Sequence, residues 1–86
     1  ASRNALIGAI GGAAGAGLGG WMKSDRRLKS DIRHVGRLSN GLDVYFYRLD
    51  GEADVGLMAD EVAKVKPWAV RTINGYSHVN YSAAVR

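Results

Sequence analysis

Eighty-six residues with twelve glycines, one proline and no cysteine allow one small domain and one appendage. They exclude a disulfide-stapled scaffold and a thiolate metal site. A core drawn from about sixty residues is marginal alone, so oligomerisation or a larger assembly is the expected source of further stability. The net charge of +4 is local, because Lys23–Arg37 holds six basic and two acidic residues. That segment reads first as a solvated basic loop, and specific nucleic-acid recognition is not expected.

Residues 1–23 are predicted to form a Gly/Ala-rich apolar helix that acts as an anchor or packing element. Ala5–Met22 is an uncharged run of eighteen residues with seven glycines. In water each glycine weakens a helix by about 1 kcal/mol relative to alanine. Against apolar surfaces the balance changes. Gly8 and Gly12, Gly11 and Gly15, and Gly15 and Gly19 each recur at a spacing of four, and such a stripe lets another helix approach closely. Leu6, Ile10 and Leu18 supply ridges beside it. Packing inside an assembly is the preferred reading. The alternatives are membrane insertion of 5–22, with Trp21-Met22-Lys23 as an interfacial border, and a flexible linker. Gly15-Ala16-Gly17-Leu18-Gly19-Gly20 matches G-x-G-x-x-G, but no strand precedes it and no βαβ unit surrounds it, so no nucleotide cofactor is expected.

Ser24-Asp25-Arg26-Arg27-Leu28-Lys29 places a serine five residues before a lysine. A serine hydroxyl needs a base at neutral pH. A lysine can serve only when desolvation or neighbouring cations bring its pKa down. Lys23, Arg26 and Arg27 crowd Lys29 with like charge, whereas Asp25 opposes the shift. Ser24 and Lys29 are therefore the candidate catalytic residues. The bland alternative is a serine that caps the next element and a solvated lysine.

The remaining elements follow in order. Ile32–Leu38 and Leu42–Leu49 flank Ser39-Asn40-Gly41, a hairpin signal. Asp50-Gly51-Glu52 reads as a turn and Val55–Met58 as a third strand. A short helix starts at Ala59 or Asp60, with Asp60 and Glu61 suiting its positive end. Val62 and Val65 are expected to face the core, and Pro67 stops the helix. Trp68–Ile73 and Tyr76–Asn80 form a second hairpin about Asn74-Gly75. Tyr81–Val85 begins a last helical turn. The sum is an α+β domain over 24–86, with a small, mainly antiparallel sheet and one or two short helices. His34 and His78 lack the converging partners of a metal site and read as structural or surface residues. Trp68 and the tyrosines read as core or subunit contacts.

Four segments in this order resemble the intramolecular chaperone domain (peptidase S74 type) at the carboxyl end of phage tail spikes and fibres. They are the Ser24–Ile32 stretch; Val55-Gly56-Leu57-Met58-Ala59-Asp60-Glu61-Val62, where the family typically reads V-G-hydrophobic-hydrophobic-A-Q-E-V; Pro67, Ala69 and Val70; and Asn74-Gly75-Tyr76 with Val79-Asn80-Tyr81-Ser82-Ala83. Asp60 and Asn80 depart from the family's glutamine and aspartate. The resemblance implies that Ser24 and Lys29 correspond to a serine–lysine pair that cuts the chain's own backbone next to the serine. It also implies a trimer and association with other tail proteins. The family's long clasping helices after the V-D-Y-S element are not expected within these 86 residues.

The preferred functional reading is a minor structural or assembly protein of a tailed-phage virion. It belongs to the tail region after assembly in the host cytoplasm, and uses the domain to oligomerise or dock. The alternative is a self-cleaving chaperone that assists folding of a trimeric fibre or spike.

Overall fold

The computed structural model describes Trp21–Arg86. The packing stripe at Gly8, Gly11, Gly12, Gly15 and Gly19 lies outside the described residues, as does nearly all of the segment read as a helix or membrane span. Strand β1 (Trp21–Lys23) leads through a 3-10 turn (Arg26–Leu28) into β2 (Lys29–Arg37), β3 (Asp43–Leu49) and β4 (Glu52–Gly56). Helix α1 (Ala59–Val65), a second 3-10 turn (Pro67–Ala69), β5 (Val70–Ile73), β6 (Tyr76–Asn80) and α2 (Tyr81–Ala84) complete the chain. The fold is α+β, and its antiparallel strands form two three-stranded sheets, ordered β2-β3-β4 and β1-β6-β5. Among the described residues no helix is long and apolar enough to cross a membrane.

The turns follow local chemistry. Asn74-Gly75 and Asp50-Gly51 each place two successive residues at positive φ, 52° and 82° in the first and 53° and 82° in the second. Hairpin turns of this hand match strand twist, and the second position tolerates only a residue without Cβ strain. At the longer turn Leu38 N–H donates to Leu42 O at 2.8 Å, and Leu42 N–H donates to Asn40 Oδ1 at 3.1 Å.

Several boundaries differ from expectation. Trp21, Met22 and Lys23 are extended and pair with Asn80, Val79 and His78. They satisfy the edge of β6 that β5 leaves open, so an apolar helix does not run to residue 23. Strand β2 starts at Lys29, three residues before the predicted Ile32, because its first residues pair with Leu49 and Arg48. Strand β4 ends at Gly56, since Leu57 and Met58 leave the sheet and are fully buried on the way into α1. Val65 and Trp68 are exposed, at 57% and 68%. Helix α1 ends at Val65, and the Lys66 N–H closes it by donating to Val62 O at 2.7 Å. Pro67 then opens a 3-10 turn, which carries Trp68 out of the predicted strand.

One core joins both sheets. It includes Val44 from β3, Leu57, Val62 from α1, Val79 from β6, and Tyr81 and Ala84 from α2. Helix α1 has no side-chain cap. Its amino end is held instead by Ala59 N–H donating to Ser24 O at 3.0 Å, and by Arg26 donating to Asp60 and Glu61 at 3.3 and 3.0 Å. The start of the helix is thereby tied to the serine segment.

Candidate active site

Ser24 sits at the junction of the two sheets. Its N–H donates to Ser77 O at 3.0 Å, and its carbonyl accepts from Ala59 N–H at the same distance. Asp25 fixes the next position. Its carboxylate takes the Arg27 N–H, both Arg27 guanidinium donors at 2.9 and 2.8 Å, and the Ser77 N–H at 2.9 Å. These bonds, the Arg27 side chain first, hold the Asp25 carboxyl well below the usual carboxylate range, against the opposing effect of burial. The cap of the 3-10 turn is thus Asp25 and not Ser24.

Lys29, the first residue of β2, turns back beneath this turn. Ser24 is fully buried and Lys29 is 8% exposed. Lys29 Nζ lies 3.4 Å from Ser24 Oγ and donates to Leu57 O at 2.6 Å. Its other side faces the ring of Tyr47, 4.0 Å from the centroid, a cation–π contact. The solvated-lysine alternative does not hold. The lysine pKa falls from 10.5 to about 8. The main cause is burial. Crowding by cations, expected from Lys23, Arg26 and Arg27, contributes through Arg26 to a lesser degree, and Asp54, Asp60 and Asp25 pull the other way. At pH 7.5 a group of pKa about 8 is neutral for about a quarter of the time, against about a thousandth for an ordinary lysine.

Four further residues, Leu57, Tyr81, Tyr47 and Gly56, complete the site, and none was singled out as a site residue from sequence. Ser24 Oγ donates to Leu57 O at 3.0 Å and lies 2.9 Å from the Tyr81 hydroxyl. Tyr81 OH also accepts the Leu57 N–H at 2.9 Å. Tyr47, buried beside it, has its phenol pKa raised first by burial and then by Tyr81. Gly56 lets both phenols approach, since a Cβ there would lie 2.6 Å from the Tyr47 hydroxyl and closer still to that of Tyr81. Both Gly56 and Tyr81 stand inside the V-G and V-N-Y-S-A segments that carry the resemblance, which is the signal that marks them. A cavity of about 320 Å³ opens beside the two phenols, lined by Trp21, Lys23, Tyr47, His78 and Tyr81 among others. Every buried side-chain nitrogen and oxygen among the described residues has a hydrogen-bond partner.

The histidines stand apart from this chemistry. His34 Nε2 meets Asp43 Oδ1 at 2.9 Å on the surface, and His78 Nδ1 meets Tyr76 O at 2.9 Å. Among the described residues no cluster of histidine and acidic side chains is arranged to hold a metal ion.

No curated protein and no solved structure matches the chain. The family model described as chaperone of endosialidase (peptidase S74) matches residues 24–71. That match begins at the buried serine and spans Lys29, Tyr47, Gly56 and Leu57, more than half of the chain, so the chain belongs to the chaperone-of-endosialidase (peptidase S74) family.

Proposed function

We propose that the chain is a chaperone-type module of a tailed-phage fibre or spike that cuts itself once, at the Lys23–Ser24 bond. In this reading it works as a homo-oligomer with other tail proteins and belongs to the tail region of the virion. The observation that carries it is the burial of Lys29 against Ser24 Oγ, with the lysine pKa brought down to about 8. A buried lysine that is partly neutral is what a serine nucleophile requires. A serine hydroxyl reaches the carbonyl of the preceding residue through a five-membered ring, whereas attack on its own carbonyl would need a strained four-membered one. Ser24 Oγ attacks the Lys23 carbonyl carbon as Lys29 Nζ takes the hydroxyl proton. The Lys23–Ser24 C–N bond breaks, Lys29 returns the proton to the leaving amine, and an ester joins Lys23 to Ser24 Oγ. Water entering through the adjoining cavity hydrolyses the ester, which frees the amino-terminal segment.

A second reading, an uncut docking module anchored by its amino-terminal segment, is favoured by one observation. The Ser24 hydroxyl is already partnered by Leu57 O and Tyr81, as in a purely structural polar network. Intact mass separates the two. The protein is purified beside Ser24→Ala and incubated at pH 8.5. A wild-type product comprising 24–86 that is absent from the variant supports self-cleavage. Full-length chain in both supports the docking module and overturns the cleavage reading.

A further inference from the structure

The last element of the chain delivers a side chain into the middle of the serine site. Tyr81 opens α2 and is 3% exposed. Its hydroxyl is 2.9 Å from Ser24 Oγ, across a separation of 57 residues, and accepts the Leu57 N–H at 2.9 Å. That amide occupies one face of the phenol oxygen, so the phenol proton is left for a neighbouring oxygen. With Lys29 protonated, the ammonium donates to Leu57 O and Ser24 Oγ, and the serine gives its own proton to Leu57 O. With Lys29 neutral, the Ser24 hydroxyl turns its proton to the Lys29 lone pair. The Oγ lone pairs then face the Tyr81 hydroxyl.

Resting on the self-cleavage reading, we propose that Tyr81 is a third catalytic residue, whose hydroxyl donates to Ser24 Oγ while the serine proton passes to Lys29. The balance of the step is unchanged. The Oγ–H bond breaks and an Nζ–H bond forms; Oγ bonds to the Lys23 carbonyl carbon; the Lys23–Ser24 C–N bond breaks with the proton going to the amine. Tyr81 keeps its proton throughout and stabilises the negative charge that develops on Oγ.

The same geometry couples cleavage to folding of the carboxyl end. Helix α2 is held by Asn80, whose Oδ1 accepts from Ala83 N–H, by Asn40 Nδ2 donating to Ala84 O at 2.8 Å, and by Lys66 Nζ donating to Ala83 O at 3.2 Å. Until these contacts form, Ser24 and Lys29 lack their third partner. The cut therefore waits for the last element to dock.

The test is a pH jump. Full chain made by cell-free synthesis at pH 6, where Lys29 is protonated, is shifted to a series of pH values, and single-turnover cleavage is followed by intact mass. In wild type the rate rises with a midpoint near 8. Tyr81→Phe is expected to cut about 100- to 1,000-fold more slowly at every pH with that midpoint unmoved, the scale of a lost charge-stabilising donor. An unchanged rate overturns the proposal. So does a midpoint that climbs toward 10.5, because Tyr81 would then only keep water from Lys29. If Tyr81→Phe fails to fold by circular dichroism, Asn40→Ala carries the test. Slower cleavage at the same midpoint supports the coupling, and wild-type cleavage with faster amide exchange in α2 overturns it. A wild-type chain that never cuts overturns the underlying dyad reading, whereas a wild type that cuts no faster than Tyr81→Phe overturns this inference alone.

Discussion

Burial of Lys29 has a measurable effect on stability, with a sign set by its pKa. The lysine ionises near its ordinary 10.5 in the unfolded chain and near 8 in the fold. Below pH 8 both states hold the proton, and the folded state carries the full penalty of a buried ammonium, about 3 kcal/mol. Between 8 and 10.5 the unfolded state binds more protons than the folded one, so this contribution makes the protein more stable as pH rises. Integrated from pH 7.5 to 10, the gain is about 2 kcal/mol. The comparison is made in an uncut background, Ser24→Ala against Ser24→Ala/Lys29→Met, by urea unfolding at a series of pH values. Methionine fills a similar volume without charge, so the double variant is expected to be the more stable protein at pH 7.5, and the gap closes by about 2 kcal/mol by pH 10. Other tyrosines and lysines titrate in both proteins and drop out of the difference. Parallel curves would refute the reasoning, because they would mean that Lys29 keeps its ordinary pKa in the fold. A gap that widens with pH would refute it more strongly.

Three other outcomes are expected. Gly56→Ala forces a Cβ into the two phenols; it is expected to lose about 1–3 kcal/mol by urea unfolding and to slow cleavage with it. The Asp25 carboxylate has its folded pKa depressed below the unfolded 3.8, mainly by Arg27, so its contribution is present above about pH 4 and lost as pH falls further. Asp25→Asn is expected to lose about 1.5–3 kcal/mol at pH 7 and to show a flatter acid limb by circular dichroism. Trp68 is mostly exposed; Trp68→Ala is expected to change the unfolding free energy measured by urea titration by no more than about 0.5 kcal/mol.

Much of the fold was legible because local chemistry decides it. Asn74-Gly75 and Asp50-Gly51 require positive φ at adjacent residues, which few sequences satisfy outside hairpin turns. Pro67 cannot continue a helix, and α1 does stop at Val65. Errors arose where a neighbour distant in sequence chose the outcome. Trp21-Met22-Lys23 carries no strand signal of its own and is extended because β6 offers an open edge. Val65 has the right hydrophobicity and spacing for the core, yet the packing that buries Val62 does not reach it, and it is left exposed. Lys29 looked like one of several crowded cations, and what changes its ionisation is the Tyr47 and Leu57 surroundings supplied by β3 and the turn into α1.

By itself the sequence determined the α+β pattern, the hairpins and the pairing of Ser24 with Lys29, since turn residues, periodicity and a five-residue spacing are local properties. Only the tertiary structure decided that the serine and the lysine are dry, that Gly56 clears a path for two phenols, and that the chain's last helical turn brings Tyr81 onto Ser24 Oγ. Desolvation is a property of everything packed around a group. The groups packed around this one come from β3, the turn into α1, and α2, up to 57 residues away along the chain.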